Sequence, residues 1–146
     1  MVPIFTSSWF TKLPPGHARI GISRGVPRNV AGGYRRYPQL NPGPWFKSVP
    51  AQEYMQLYFR ILADLDPVAV VEDLADLAEG GVAVLVCFEP PPPARKWCHR
   101  SLVSAWLADN FDIAVPELNH EALGYGWDHP LSPASRKQGD LFAVGR

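Results

Sequence analysis

Apolar residues recur along the chain in two periods, and those periods divide it into elements. Ile4-Phe5-Thr6-Ser7-Ser8-Trp9 and Ala18-Arg19-Ile20-Gly21-Ile22-Ser23 read as strands, with Leu13-Pro14-Pro15-Gly16 as the loop between them. Residues 26–47 are rich in Pro, Gly, Asn, Arg and Tyr and predict a long irregular loop, a feature that in compact domains is functional or mobile. A helix follows, with Ser48 as N-cap, Pro50 in the first turn and an apolar face of Tyr54, Leu57, Tyr58, Ile61 and Leu62. Asp66-Pro67 opens a second helix whose apolar face is Val70, Val71, Leu74, Leu77 and Ala78, and Gly80-Gly81 stops it.

Val82 to Phe88 is short, apolar and β-branched, bounded by glycines and prolines, which predicts a strand buried on both faces. Pro90 to Pro93 cannot extend it. A helix over Cys98–Phe111 then shows Leu102, Val103, Trp106 and Leu107 on one face. Asp112-Ile113-Ala114-Val115 and Leu141-Phe142-Ala143-Val144 are further short strand candidates, the second within an irregular C-terminal tail that begins near 119. Strands alternating with helices predict a single α/β domain over 1–146, a small Rossmann-like three-layer sandwich around a mostly parallel sheet.

Composition narrows the setting. The 146 residues are 47% hydrophobic, enough for one core, and no apolar run approaches the roughly 18 residues of a membrane span. The start of the chain has no basic segment leading into an apolar one, so no secretory signal is expected. Two cysteines do not make a disulfide framework, and the expectation is a cytoplasmic protein with reduced thiols and no membrane partner. Oligomeric state is not legible.

Net charge is zero, yet it is unevenly spread. Met1 to Gln52 contains no Asp or Glu and carries Lys12, Arg19, Arg24, Arg28, Arg35, Arg36 and Lys47, whereas Glu53 to Glu89 sets eight acids against Arg60 alone. A one-sided basic segment suits an anionic partner, although such blocks also mix into ordinary surface on folding. Within it Arg24, Arg28, Arg35 and Arg36 interleave with Tyr34, Tyr37 and Trp45, a composition suited to phosphates and stacked bases.

The densest chemistry lies between the apolar strand and the last helix. Open α/β sheets bind ligands outside the carboxyl ends of their strands, and Cys87, Glu89, Cys98, His99 and Arg100 are expected at that edge. A helix N-terminus attracts anions, lowers the pKa of a cysteine placed there, and makes Arg100 a candidate phosphate grip. Glu89, desolvated at the mouth of the sheet, would be a base or nucleophile, and His99 would exchange protons near neutral pH. The structural alternatives are a core role for Cys87 and Cys98 and ion pairs for Glu89 and Arg100. Cys87, Cys98 and His99 would also suit zinc or iron, but the spacing matches no standard metal motif, so no cofactor is favoured. Cys-x5-Arg, Gly-x-Ser-x-Gly and Walker-type loops are absent from the sequence.

The run Cys87-Phe88-Glu89 … Cys98-His99-Arg100-Ser101-Leu102-Val103, ending in Trp106-Leu107, resembles the C-x-E … C-H-R signature of the family called domain of unknown function four-eight-eight. Thr6-Ser7-Ser8-Trp9-Phe10, Lys12-Leu13-Pro14-Pro15-Gly16 and Ile22-Ser23-Arg24-Gly25-Val26-Pro27 are similar to its early part, so the resemblance reaches to about Leu118. It implies a small Rossmann-like domain of bacteria, archaea and their phages, with Arg24, Cys87, Glu89, Cys98, His99 and Arg100 as the marked residues, and it assigns no activity.

Together these readings predict a small enzyme acting on a nucleotide or nucleic acid, with an N-glycosidic bond as the candidate target. Its catalytic candidates are Glu89, Cys98 and His99. Arg24, Arg100, Arg28, Arg35, Arg36 and Tyr34 are the candidates for phosphate and substrate. Two alternatives stand beside it: a cysteine-centred thiol or metal-binding protein, and a non-catalytic nucleic-acid-binding module.

Overall fold

The computed structural model describes residues 2–90 and 97–123. Strands β1 (Ile4–Ser8), β2 (His17–Gly21), β3 (Arg35–Arg36) and β4 (Val82–Cys87) form one sheet in the order β1-β4-β2-β3, and every pairing is parallel. The chain is therefore a mixed α/β protein with a small Rossmann-like arrangement. β4 sits centrally, with Thr6 and Ile20 opposite Leu85.

The apolar run of β4 explains its place. Ala83 and Leu85 face one cluster, which also holds Ile4, Ile20, Leu74, Leu102 and Leu107. Val84 and Val86 face a second cluster with Trp9, Leu13, Val26, Val30 and Tyr34. All four β4 residues are fully buried, as expected of a strand covered on both faces. Helices α1 (Ala51–Ala63), α2 (Pro67–Ala78) and α3 (Arg100–Phe111) supply the first cover, and loop residues between 26 and 34 supply the second. The layers are thus helices, sheet and loop.

Helix α2 matches its sequence signals closely. Asp66 caps it through Val68 N at 3.0 Å, Pro67 takes the first position, and Glu79 and Gly80 turn the chain out in the left-handed region. Helix α1 begins later than Ser48. Pro44–Lys47 forms a 3-10 turn, and Ser48 closes it by donating to Trp45 O, so Pro50 becomes the N-cap.

The stretch 26–47 is more ordered than its composition suggests. Besides β3 it contains a 3-10 turn at Pro38–Leu40, and Leu40 is fully buried. Tyr58 donates to Leu40 O at 2.7 Å and Tyr37 donates to Asp73 at 2.7 Å, pinning the stretch to α1 and α2.

Residues 112–115 are not a strand. Asp112, at φ 52°, ends α3 by donating its N–H to Ala108 O, and this turn prevents extended pairing there. Contact with the sheet is made just beyond: Thr6 N donates to Pro116 O at 3.0 Å and Leu118 N to Thr6 O at 2.8 Å. The strand expected at Leu141–Val144 lies outside the described residues. No helix among those described is long and apolar enough to cross a membrane.

Candidate functional site

Because β2 and β4 are parallel, the residues that follow each emerge at the same edge. Ser23 and Arg24 follow β2, Phe88 and Glu89 follow β4, and Trp97, Cys98 and His99 lead into α3. These residues line one cavity of about 520 Å³, whose lining also includes Phe46, Lys47 and Tyr54. The expectation that Cys87, Glu89, Cys98 and His99 meet at the carboxyl edge is met, and Arg24 joins them.

His99 is fully buried at this edge. Its Nε2 lies 2.7 Å from Ile22 O, and a carbonyl only accepts, so Nε2 carries the proton. Burial depresses the imidazole pKa to about 4, assisted by the charge of Arg100 and opposed by the Ile22 bond. The ring is neutral at physiological pH, with the Nδ1 lone pair 3.5 Å from Cys98 Sγ. A proton-exchange role near neutral pH, expected from the sequence, does not suit this environment.

The sulfurs of Cys87 and Cys98 are joined as a disulfide, in contrast to the reduced thiols expected. The two Cα atoms stand 7.2 Å apart, wider than the roughly 4.4–6.8 Å that such a bond usually spans. Cys87 Sγ also accepts from Arg100 Nη1 at 3.1 Å. Both sulfurs and His99 Nδ1 lie within 4.8 Å of one another, so the three residues could hold a metal ion.

Arg100 proves to be a buried strut. Its Nε and Nη2 donate to the two carboxylate oxygens of Glu117 at 3.0 and 2.9 Å, and Nη1 donates to Glu89 O at 2.9 Å. Thr6 Oγ1 donates to the same Glu117 at 2.7 Å. The guanidinium is thereby committed to the chain, and its bonds orient the strand exit that bears Cys87 and Glu89. The start of α3 is likewise occupied: Ser101 N donates to Cys98 O, and Leu102 N and Val103 N to His99 O. The anion site expected at this helix N-terminus, with Arg100 as its grip, is filled by the protein's own carbonyls and by Glu117.

The basic loop is divided between several places. Arg24 lines the cavity and donates to Pro42 O at 3.1 Å. Arg36 donates to Arg24 O at 3.0 Å, and Arg35 forms an exposed pair with Glu79 at 3.2 Å. Arg28 and Tyr34 line a different depression of about 560 Å³ with Lys12 and Arg19. The six phosphate candidates therefore do not form one site.

Four residues at or beside the site, Tyr54, Lys47, Trp97 and Glu117, are not among the candidates the sequence offers for it. Tyr54 meets Trp45 and Trp97 edge-on at 5.0 and 4.8 Å, and its hydroxyl pKa is pushed up by burial and by the Glu89 charge. That coupling brings Glu89 electrostatically close to an aromatic wall. Local signals place Tyr54 on an apolar helix face, but nothing local marks Glu117. Comparison of the chain with known protein families, curated proteins and solved structures finds no match, so the family resemblance stands on its motifs alone.

Proposed function

We propose that this protein is a small enzyme acting on a nucleotide, with hydrolysis of an N-glycosidic bond as its reaction. The observation that carries this reading is the cavity at the carboxyl edge of β2 and β4, which combines cations, aromatic walls and a carboxylate. Its volume, about 520 Å³, is in the range of small-molecule sites. Arg24 and Lys47 are the groups for a phosphate, and Phe46, Tyr54 and Trp97 are surfaces for a base or sugar.

Glu89 supplies the chemistry. As a base it takes a proton from the attacking water, and as a carboxylate it stabilises the positive charge that develops on the sugar when the bond to the base breaks. The leaving base is protonated by solvent, and the Tyr54 hydroxyl, whose raised pKa keeps it protonated, donates a hydrogen bond to it. Compared with the expectation from sequence, the phosphate grip keeps Arg24, loses Arg100 and gains Lys47, and His99 leaves the set of proton carriers.

The test is incubation with nucleoside monophosphates and short single-stranded oligonucleotides, with released base quantified by chromatography. Wild-type protein should release base, and Glu89→Gln should lower turnover on the order of 10²–10⁴-fold while nucleotide affinity stays within a few fold. Binding with no base released from any substrate leaves a binding module and refutes the enzyme reading. Absence of both binding and release refutes the nucleotide reading.

A further inference from the structure

The geometry points to a zinc site formed by Cys87 Sγ, Cys98 Sγ and His99 Nδ1, with its fourth position open to the cavity that all three residues line. This inference does not rest on the nucleotide reading, since it needs only the three ligands and their surroundings.

Zinc takes thiolates at about 2.3 Å and imidazole nitrogen at about 2.0–2.1 Å, so tetrahedral ligands stand roughly 3.4–3.8 Å apart. Cys98 Sγ and His99 Nδ1 are already 3.5 Å apart. The Cα atoms of Cys87 and Cys98, at 7.2 Å, are set wide for a direct sulfur–sulfur bond, so once the bond is reduced the two thiolates can swing apart by side-chain rotation to the spacing an ion needs.

The surroundings are those of a ligand set. His99 Nε2–H is held by Ile22 O, which fixes the ring and leaves Nδ1 as an acceptor, the usual outer-shell arrangement of a metal-bound histidine. Arg100 donates to Cys87 Sγ at 3.1 Å and so favours its thiolate. Charge also balances: two thiolates neutralise a divalent ion, and Glu117 neutralises Arg100. Two sulfurs and one imidazole favour zinc over the oxygen-seeking cations. A water or a cavity ligand takes the fourth position, as in catalytic rather than closed structural zinc sites.

Binding requires the thiol form. A two-electron reductant such as a phosphine cleaves the Cys87–Cys98 bond, both electrons and two protons go to the sulfurs, and the phosphine becomes its oxide with oxygen from water. Zinc then displaces the two thiol protons. A disulfide oxidant such as oxidised glutathione restores the Cys87–Cys98 bond in the apo-protein by thiol–disulfide exchange, taking the two electrons and two protons as two glutathione thiols, so metal and disulfide are mutually exclusive occupants.

The experiment uses full-length protein reduced with a phosphine, treated with chelator and titrated with Co(II), then Zn(II). One cobalt per chain should bind, with a thiolate-to-cobalt charge-transfer band and the intense visible bands of tetrahedral cobalt, and zinc should bleach both. A chromophoric thiol reagent should count two thiols in the reduced apo wild type and react at least tenfold more slowly once zinc is added. Cys87→Ser and Cys98→Ser should each weaken cobalt at least tenfold. The thiol count on wild type keeps the test decisive if a variant does not fold. Reduced protein with two reactive thiols that takes up no cobalt, or takes it up without a thiolate band, overturns the site and leaves a redox pair alone. Adenosine monophosphate is titrated in parallel by tryptophan fluorescence. Cobalt uptake without nucleotide binding removes the proposed function and keeps the metal site, and the converse result does the reverse.

Discussion

Arg100 clasps Glu117 through two parallel hydrogen bonds, 3.0 Å from Nε and 2.9 Å from Nη2, and both side chains are more than nine-tenths buried. The pair joins the first turn of α3 to the segment after it, and Arg100 Nη1 carries the connection on to Glu89 O and Cys87 Sγ. A buried guanidinium is costly without its partner, so Glu117→Ala should destabilise the fold by about 3–5 kcal/mol in urea or guanidinium unfolding. Loss of less than about 1 kcal/mol would mean that water reaches Arg100 freely.

Gly21 is required by a close approach. A Cβ at Gly21 would stand 2.6 Å from Cη2 of Trp9 and overlap its ring further, while Trp9 Nε1 is tied to Ser23 Oγ at 2.9 Å. The indole cannot retreat without breaking that bond. Gly21→Ala should therefore cost about 1–3 kcal/mol and change the Trp9 contribution to fluorescence. An unchanged unfolding midpoint would show that the ring shifts freely.

His99 gives metal-free protein a pH-dependent stability. The groups facing it are Cys98, Arg100 and the Tyr58 ring, which sits 5.3 Å away edge-on. Its folded pKa, about 4, lies below the usual 6.5. Between those values the unfolded chain binds a proton that the folded one does not, so stability is full above about 6.5 and falls as pH drops toward 4. The contribution lost is about 3 kcal/mol, from about 1.4 kcal/mol per pKa unit. Unfolding free energies measured from pH 7.5 to 4 should show this slope in wild type and a shallower one in His99→Gln. Equal slopes would place the dependence elsewhere.

Arg24 and Arg35 should separate a ligand-facing arginine from a surface one. Arg24→Ala removes a cation from the cavity rim and should weaken adenosine monophosphate binding about tenfold, near 1.4 kcal/mol. Arg35 is exposed and its ion pair is with exposed Glu79 at 3.2 Å. Arg35→Ala should change stability by at most about 1 kcal/mol and leave nucleotide affinity unaltered. Equal losses of affinity would move the binding surface to the basic loop and favour a nucleic-acid-binding module.

By itself the sequence determined the elements whose signals are local. The apolar run of β4 reads directly as a strand buried on both faces, and Asp66, Pro67 and Gly80 mark both ends of α2, because capping and φ preference act within a few residues. The meeting of Cys87, Glu89, Cys98 and His99 was also legible, since strand-to-helix order alone directs those residues to one sheet edge. Tertiary structure decided the rest. Which partner each charged group takes depends on atoms brought together across the chain: Glu117 reaches Thr6 over 111 positions, and no local pattern encodes that meeting. The same long-range contacts turned Arg100 inward, buried His99 against Ile22 O, and drew Arg35–Arg36 into a strand beside β2. Periodicity records which face is dry. The hydrogen-bond partner of a buried polar atom is set by what the completed fold places about 3 Å away, because an unpaired group there costs more than any local preference supplies.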